Sequence, residues 1–207
     1  MNNRLLAKNY NDKISGKHIY LKPISENDIS DTYINWLNDP ESNKYLEVRH
    51  KIQTEFSTIN YINNLREIEG CDLFGIYKNE SEILVGTLGI TNYDKNNKRI
   101  EYGLLIGDKM SRQMGIGGLA TIMFYEYIFT YTDMQKIHNP VVDANKNAWQ
   151  LVESLGSKRE GVLRKHFLLS SGESRNMYLY GILKEDWLQR KKNIPLTNLK
   201  IKIEELK

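Results

Sequence analysis

The chain has 207 residues, 40% of them hydrophobic and 27% charged, with a formal net charge of +3. That size and apolar content predict one domain with a buried core and short tails. The charge balance argues against a nucleic-acid binder, because Lys and Arg alternate with Asp and Glu and the local basic runs are only Arg190–Lys192 and Arg164-Lys165-His166.

Residues 1–15 are polar and read as a loose arm, with no apolar run suited to a signal peptide or a membrane anchor. No stretch reaches the ~18 apolar residues of a membrane span. The one cysteine, Cys71, allows no disulfide within the chain and fits a reducing compartment. A cytoplasmic protein, free of membrane and nucleic acid, is the expectation. His18–Pro23 alternates as a first strand. Ser25 and Asp28 form a capping box, and Ile29, Tyr33, Trp36 and Leu37 then recur on one helical face until Asn38-Asp39-Pro40. Residues 41–53 read as irregular. A second helix is predicted from Thr54 to about Glu69, with Phe56, Ile59, Ile62 and Leu65 on one side and Gly70 at its end.

The period then changes to two. Leu73–Tyr77, Ile83–Tyr93 and Arg99–Ile106 read as an antiparallel meander with short turns. A glycine-rich segment follows and opens a strong helix, with Ile116, Leu119, Ala120, Met123, Phe124 and Tyr127 facing inward. Lys136–Val142 is the next strand. Asn145 caps a helix carrying Ala148, Leu151, Val152 and Leu155, closed by Gly156. Residues 161–183 read as two strands joined at Ser170–Glu173. The tail, 188–207, is basic and polar, with a short helix suggested by Leu199, Ile203 and Leu206. The domain is placed at 16–187, an α+β arrangement around one sheet.

The segment with chemistry in it is R-Q-M-G-I-G-G-L-A at 112–120. Glycines there let a ligand approach the backbone. The first amides of a helix lack intrahelical acceptors, and the helix dipole adds positive potential, so a diphosphate is a natural guest. The spacing fits neither a Walker loop nor a dinucleotide fingerprint.

This run resembles the acyl-CoA pyrophosphate motif of the GNAT acetyltransferase superfamily, Q/R-x-x-G-x-G/A. Thirty-three residues after Arg112, N-K-N-A-W-Q-L-V-E-S-L-G is similar to the family's second motif. E-G-V-L-R-K-H at 160–166, with M-Y-L-Y-G-I-L-K-E-D-W, resembles the C-terminal strands of the RimJ/RimL-like branch. The resemblance runs from about His18 to Trp187 and implies the GNAT fold: a mixed, mostly antiparallel sheet flanked by helices.

It also implies roles. Acetyl-CoA is the expected co-substrate. Its pyrophosphate would lie on Arg112, Gln113, Met114, Gly115, Ile116, Gly117 and Gly118, chiefly on backbone amides. Leu104, Leu105 and Ile106 would pair with the pantetheine arm as with a strand, with Asn145 beside it. Acetyl transfer needs a neutral amine, although an alkyl ammonium has a pKa of ~10. Glu101 is the candidate base, in the strand where many members carry a carboxylate. A backbone amide near Leu105 would meet the oxyanion. The position seven after Asn145, where many members carry a tyrosine acid, is Val152, and Ser157 replaces the aromatic that usually follows the glycine. Tyr178 or a water is the substitute acid.

A small-molecule primary amine is the expected acceptor. P-E-S-N-K-Y-L-E-V-R-H places Tyr45, Glu47, Arg49 and His50 together, a mixture suited to a nucleotide-linked amino sugar. The run W-L-N-D-P-E-x-N-K-Y-L-E also resembles GNAT enzymes of surface-glycan and sialic-acid-like sugar pathways. His166 and Arg164 would close the other side. No metal-ligand spacing occurs, and His18 and His138 read as sheet residues. A protein N-terminal acetyltransferase and a non-catalytic acyl-CoA-binding module remain open at this point, as do monomer and homodimer.

Overall fold

The computed structural model describes residues 12–195 and 201–205. Among the described residues nine strands form one sheet: β1 (Asp12–Ser15), β2 (Ile19–Pro23), β3 (Asp72–Lys78), β4 (Leu84–Asp94), β5 (Arg99–Ile106), β6 (Lys136–Val142), β7 (Lys158–Leu168), β8 (Ser174–Leu183) and β9 (Lys202–Glu205). Their spatial order is β7-β8-β6-β5-β4-β3-β2-β1-β9. Among these neighbours β5 and β6 run parallel and every other pair is antiparallel. This is the mixed, mostly antiparallel sheet expected of the GNAT fold. β5 and β6 occupy the residues that read as strands in the sequence.

Helices cover both faces. On one lie α1 (Asp31–Asn38), α2 (Pro40–Asn43) and α3 (Glu55–Glu67). Tyr33 and Leu37 of α1 and Ile62 and Leu65 of α3 bury their side chains with Leu73 and Leu105 of the sheet. On the other lie α5 (Ile116–Tyr131), α6 (Lys146–Ser154) and α7 (Lys184–Arg190), while the short α4 (Lys109–Gln113) leads from the end of β5 into α5. α5 is apolar nearly all round because it is buried nearly all round. Ala120, Met123, Phe124 and Ile128 meet Leu21, Ile76, Leu88, Ile90, Ile100 and Tyr102. This cluster fixes where the mouth of α5 sits relative to β5, and truncating Phe124 to Ala would cost about 3–5 kcal/mol.

Several expectations need correcting. Residues 12–15 are not a loose arm: they form β1, which pairs with β2 and with β9. The expected C-terminal helix is replaced over 202–205 by strand β9; Leu199 and Leu206 lie outside the described residues. The Ser25–Asp28 box caps a 3-10 turn at Glu26–Asp28, and α1 has its own cap, Ser30, whose hydroxyl accepts from the Tyr33 amide. Phe56 is 75% exposed, since the buried stripe of α3 runs through Thr58, Ile62 and Leu65. Segment 41–53 is not wholly irregular, because α2 extends into it and Glu47–His50 forms a 3-10 turn.

Candidate active site

The sheet opens along one seam. β5 follows β4 as far as Ile106, and β6 follows β8 as far as Val142. Yet β5 and β6 pair only at Arg99–Lys136, Ile100–Ile137 and Glu101–His138. One step on, the Asn139 side-chain amide replaces the ladder and donates to the Tyr102 carbonyl at 3.1 Å. Beyond it the strands part. The groove so formed, about 740 Å³, has Leu104, Leu105 and Ile106 on one wall and Ala144–Ala148 with Leu151 on the other; Gly115, Gly117, Gly118, Arg112 and residues of the 41–46 segment complete its lining.

Alternation decides which backbone groups of β5 look into the wedge. A Cβ built on Gly86 of β4 would strike the Leu105 carbonyl oxygen, so Leu105 turns its backbone toward β4. Leu104 and Ile106 therefore turn theirs toward the wedge, as Tyr102 does. The Ile106 carbonyl is already used: Arg112 Nε donates to it at 2.6 Å. The Leu104 amide and carbonyl and the Ile106 amide are the edge groups left without a sheet partner.

The mouth of α5 is built by its glycines. A short helix, α4, comes first, capped by Asp108, whose carboxylate accepts from the Ser111 amide. The chain then reverses through Gly115 at φ 73°, a left-handed conformation that glycine adopts without strain. The Met114 and Gly115 amides close that turn on the carbonyls of Met110 and Arg112. The first bond of α5 runs from the Leu119 amide to the Gly115 carbonyl. The amides of Ile116, Gly117 and Gly118 are left without intrahelical acceptors. The bare set is thus narrower than the run Arg112–Gly118 expected from sequence. Gln113 and Met114 are exposed outside the groove, and the Ile116 side chain is in the core.

Packing does not require the two inner glycines. A Cβ on Gly117 would stand 3.4 Å from Leu104 and Ile106 side-chain carbons, and one on Gly118 would stand 3.5 Å from Leu151. Alanine would fit both. What glycine provides there is bare backbone facing a groove. Arg112 does not hang free in that groove. Its guanidinium also donates to Ser42 Oγ at 2.7 Å and to the Gly107 carbonyl, tying β5 to α2. Asn145 lines the groove and also caps α6, its side-chain oxygen accepting from the Ala148 amide at 3.4 Å.

Glu101 lies on the last rung before the seam opens. Tyr102 points under α5, ringed by Phe124 and Tyr125, so Glu101 points to the α3 face. It lines a separate cavity of about 140 Å³ with Asn92, Arg99, Ile100 and His138. Burial pushes its carboxyl above the ordinary glutamate range, against the opposing pull of His138 and of a hydrogen bond from Thr91.

A wedge between parallel strands beside bare helix amides is a built site, and comparison with known proteins gives it a family. The family described as acetyltransferase (GNAT) domain matches residues 18–158, more than half of the chain. This chain belongs to the GNAT acetyltransferase family. It is 27% identical over 161 residues to the "Uncharacterized N-acetyltransferase p20" of Bacillus licheniformis, covering 76% of this chain and 89% of that protein. Its fold matches a spermidine N-acetyltransferase from Vibrio cholerae, solved with CoA and spermine, at TM-score 0.73 and 19% identity, over 82% of this chain and 98% of that one. It also matches a ribosomal-protein-S5-alanine acetyltransferase from Vibrio fischeri at TM-score 0.72 and 16% identity, over 84% and 98%. The protein is an N-acetyltransferase of GNAT type, a family that draws its acetyl group from acetyl-CoA.

The side chains expected around the acceptor of this acetyltransferase are dispersed. Tyr45 lines the groove, and its hydroxyl donates to the Ala144 carbonyl at 3.0 Å. Arg49 does not line it. Its guanidinium donates to the Leu46 carbonyl at 2.7 Å and to the Leu168 carbonyl at 2.8 Å, and lies 3.9 Å over the Phe167 ring. Its side chain is only 3% exposed, whereas that of its neighbour Glu47 is 79% exposed. His166 is exposed on β7, apart from the groove lining. Tyr178 is on the α6 face of β8 with Val141 and Val152, under the Arg159 guanidinium. It faces away from Glu101, on the other side of the sheet. The reading from sequence overlooked Glu41, Ser42, Lys44 and Lys146, which line the groove, and His138, which shares the small cavity with Glu101. Lys146 follows the motif asparagine and could have been singled out. Nothing in the sequence singles out His138, because only the β5–β6 register joins it to Glu101.

Proposed function

We propose that this acetyltransferase moves an acetyl group from acetyl-CoA to a primary amine bound in the same complex, and that the amine is that of a nucleotide-linked amino sugar. The observation that carries the first half is the meeting of two unsatisfied backbone sets on one groove: the amides of Ile116–Gly118 and the open edge of β5 at Leu104 and Ile106. An anion is the fitting guest for the first set, at the positive end of a 16-residue helix. An extended arm of amides fits the second, as an added strand would. Lys44 and Lys146, on the groove's lining, supply charge for further phosphate.

Glu101 is the base in this reading, acting through a water, since its side chain lines the neighbouring small cavity and not the groove itself. A carboxylate whose pKa burial has raised is a better acceptor for an ammonium proton than an ordinary one. The Leu104 amide, the open edge donor nearer Glu101 in the strand, serves the developing oxyanion, which leaves the Leu104 carbonyl and the Ile106 amide to the arm. Water, rather than Tyr178, protonates the departing thiolate, since Tyr178 packs on the opposite face.

A small acceptor is favoured over a polypeptide by the segment after α2. Tyr45 ties it to the β6–α6 loop, and Arg49 ties it to the end of β7. Those ties make a closed wall where a threading peptide would need an open channel. The Tyr45 ring is aromatic surface for a sugar or base. An acetyl-CoA consumption screen over nucleotide-linked amino sugars, polyamines, amino acids and N-terminal peptides tests this reading. Turnover is expected with the amino sugars. Turnover confined to peptides or polyamines would overturn the acceptor, and no turnover with any amine would overturn the reaction.

A further inference from the structure

Each acetylation of an ammonium releases one proton net: the amine loses two, and the thiolate keeps one. A half-buried base must therefore pass a proton on before it can act again. The structure offers a route. On the rung where β5 and β6 last pair, Glu101 stands opposite His138, on strands that lie about 4.8 Å apart. Ile100 and Ile137, one rung earlier, both enter the core beneath α5. Alternation sends Glu101 and His138 together to the other face, where both are half-buried and both line the 140 Å³ cavity.

The remaining charges around this cavity have partners. Arg99 holds Asp94 of β4 at 3.1 Å, and Lys136 of β6 holds Glu160 of β7 at 2.6 Å. Glu160 also lies over Gly181, the β8 partner of His138. From β4, Asn92 lines the cavity and Thr91 donates to the Glu101 carboxylate. Among the described residues His138 takes part in no ion pair closer than 4 Å, so it and Glu101 face one another across the cavity and not in direct contact.

We infer that His138 is the proton outlet of Glu101, taking up its proton through water in the cavity that the two share and relaying it to solvent. The inference rests on the reading of Glu101 as the base. The step balances: the ammonium gives H⁺ to Glu101, the carboxylic acid passes it through a water in the shared cavity to an imidazole nitrogen, and the imidazolium gives it to solvent, restoring both groups without redox change.

NMR titration of the four histidines tests the pairing without any acceptor. Glu101→Gln should lower the His138 midpoint by about half a pH unit or more, because a neighbouring negative charge is lost. His18, His50 and His166 should not move. Variants of those three assign the His138 signal by elimination even where a His138 variant fails to fold. In turnover, His138→Gln should lower kcat/KM by about tenfold or more, shift the acidic limb of the pH profile, and recover with added imidazole. An unmoved His138 midpoint in Glu101→Gln would overturn the inference, as would a folded His138→Gln enzyme with a wild-type pH profile. Failure of coenzyme A to bind the wild-type protein would instead strike the proposed function and leave the histidine result standing.

Discussion

Two regions of this molecule meet at the groove and are built on different principles. The β5–α5–β6–α6 region works through backbone: a seam where two strands part, a left-handed glycine, and three amides with no acceptor. The region formed by residues 41–50 and β7 works through side chains: Tyr45 on the Ala144 carbonyl, Arg49 on Leu168 and Phe167, Ser42 on Arg112. A backbone site tolerates most side-chain changes and fails when a Cβ fills the wrong space. A side-chain site fails residue by residue. The first leaves glycines and caps at readable spacing, whereas the second leaves no spacing at all, because its partners are far apart in the chain.

The sharpest way to break this contrast is Gly117→Val. The added Cβ has room against Leu104 and Ile106, so the fold should hold while the branched methyls occupy the groove. Coenzyme A affinity should fall about 100-fold or more, a loss of ~3 kcal/mol, with an unchanged circular dichroism spectrum. Wild-type affinity in this variant would mean that the mouth of α5 is not the anion site.

Glu101→Gln sharpens the contrast, since it removes a side chain from the backbone-built region. Turnover should drop about 10²–10⁴-fold while coenzyme A affinity is retained. Stability should move the other way. Burial raises the folded-state pKa of Glu101 above its unfolded value, so ionising it costs folding free energy; that cost is absent in acid and sets in as pH rises through the folded pKa. The Gln variant should therefore have the higher Tm at neutral pH, with the gap closing below the ordinary glutamate range. A variant less stable at neutral pH than in acid, relative to wild type, would show that the carboxylate is held by partners and not penalised by burial.

Much of the backbone-built region is legible in the sequence. Arg99–Ile106 and Lys136–Val142 read as strands with the bounds that they have, and Asn145 and Gly156 punctuate α6 by standard cap chemistry. Gly115-Ile116-Gly117-Gly118 pointed to the helix mouth. What was not legible has physical reasons. β1 and β9 are four residues each and join the two ends of the chain, so no local period announces them. α4 is five residues in a run that also reads as loop. Arg49 looked like a phosphate ligand because its partner Phe167 is more than a hundred residues away. His138 acquires its meaning only from a parallel register, which sequence spacing does not encode.

Smaller effects test the side-chain region. Arg49→Ala should destabilise the protein by about 1–3 kcal/mol, since two carbonyls lose a charged donor and a ring loses its cation. It should raise the acceptor KM more than the acetyl-CoA KM. Equal changes in both would mean that the 41–50 segment does not belong to the acceptor wall. Smallest is Asn145→Ser. Serine also caps helices, so thermal stability should stay within about 0.5 kcal/mol. A several-fold weaker coenzyme A complex despite an intact cap would separate the ligand role of Asn145 from its structural one.

The central claim is that the amides of Ile116, Gly117 and Gly118 grip a diphosphate. Isothermal titration of the wild-type protein with coenzyme A, and in parallel with pantetheine, which lacks that diphosphate, tests it most directly. The account predicts one saturable site for coenzyme A and binding of pantetheine weaker by about 100-fold or more. Equal affinities for the two, or no heat with coenzyme A, would contradict it.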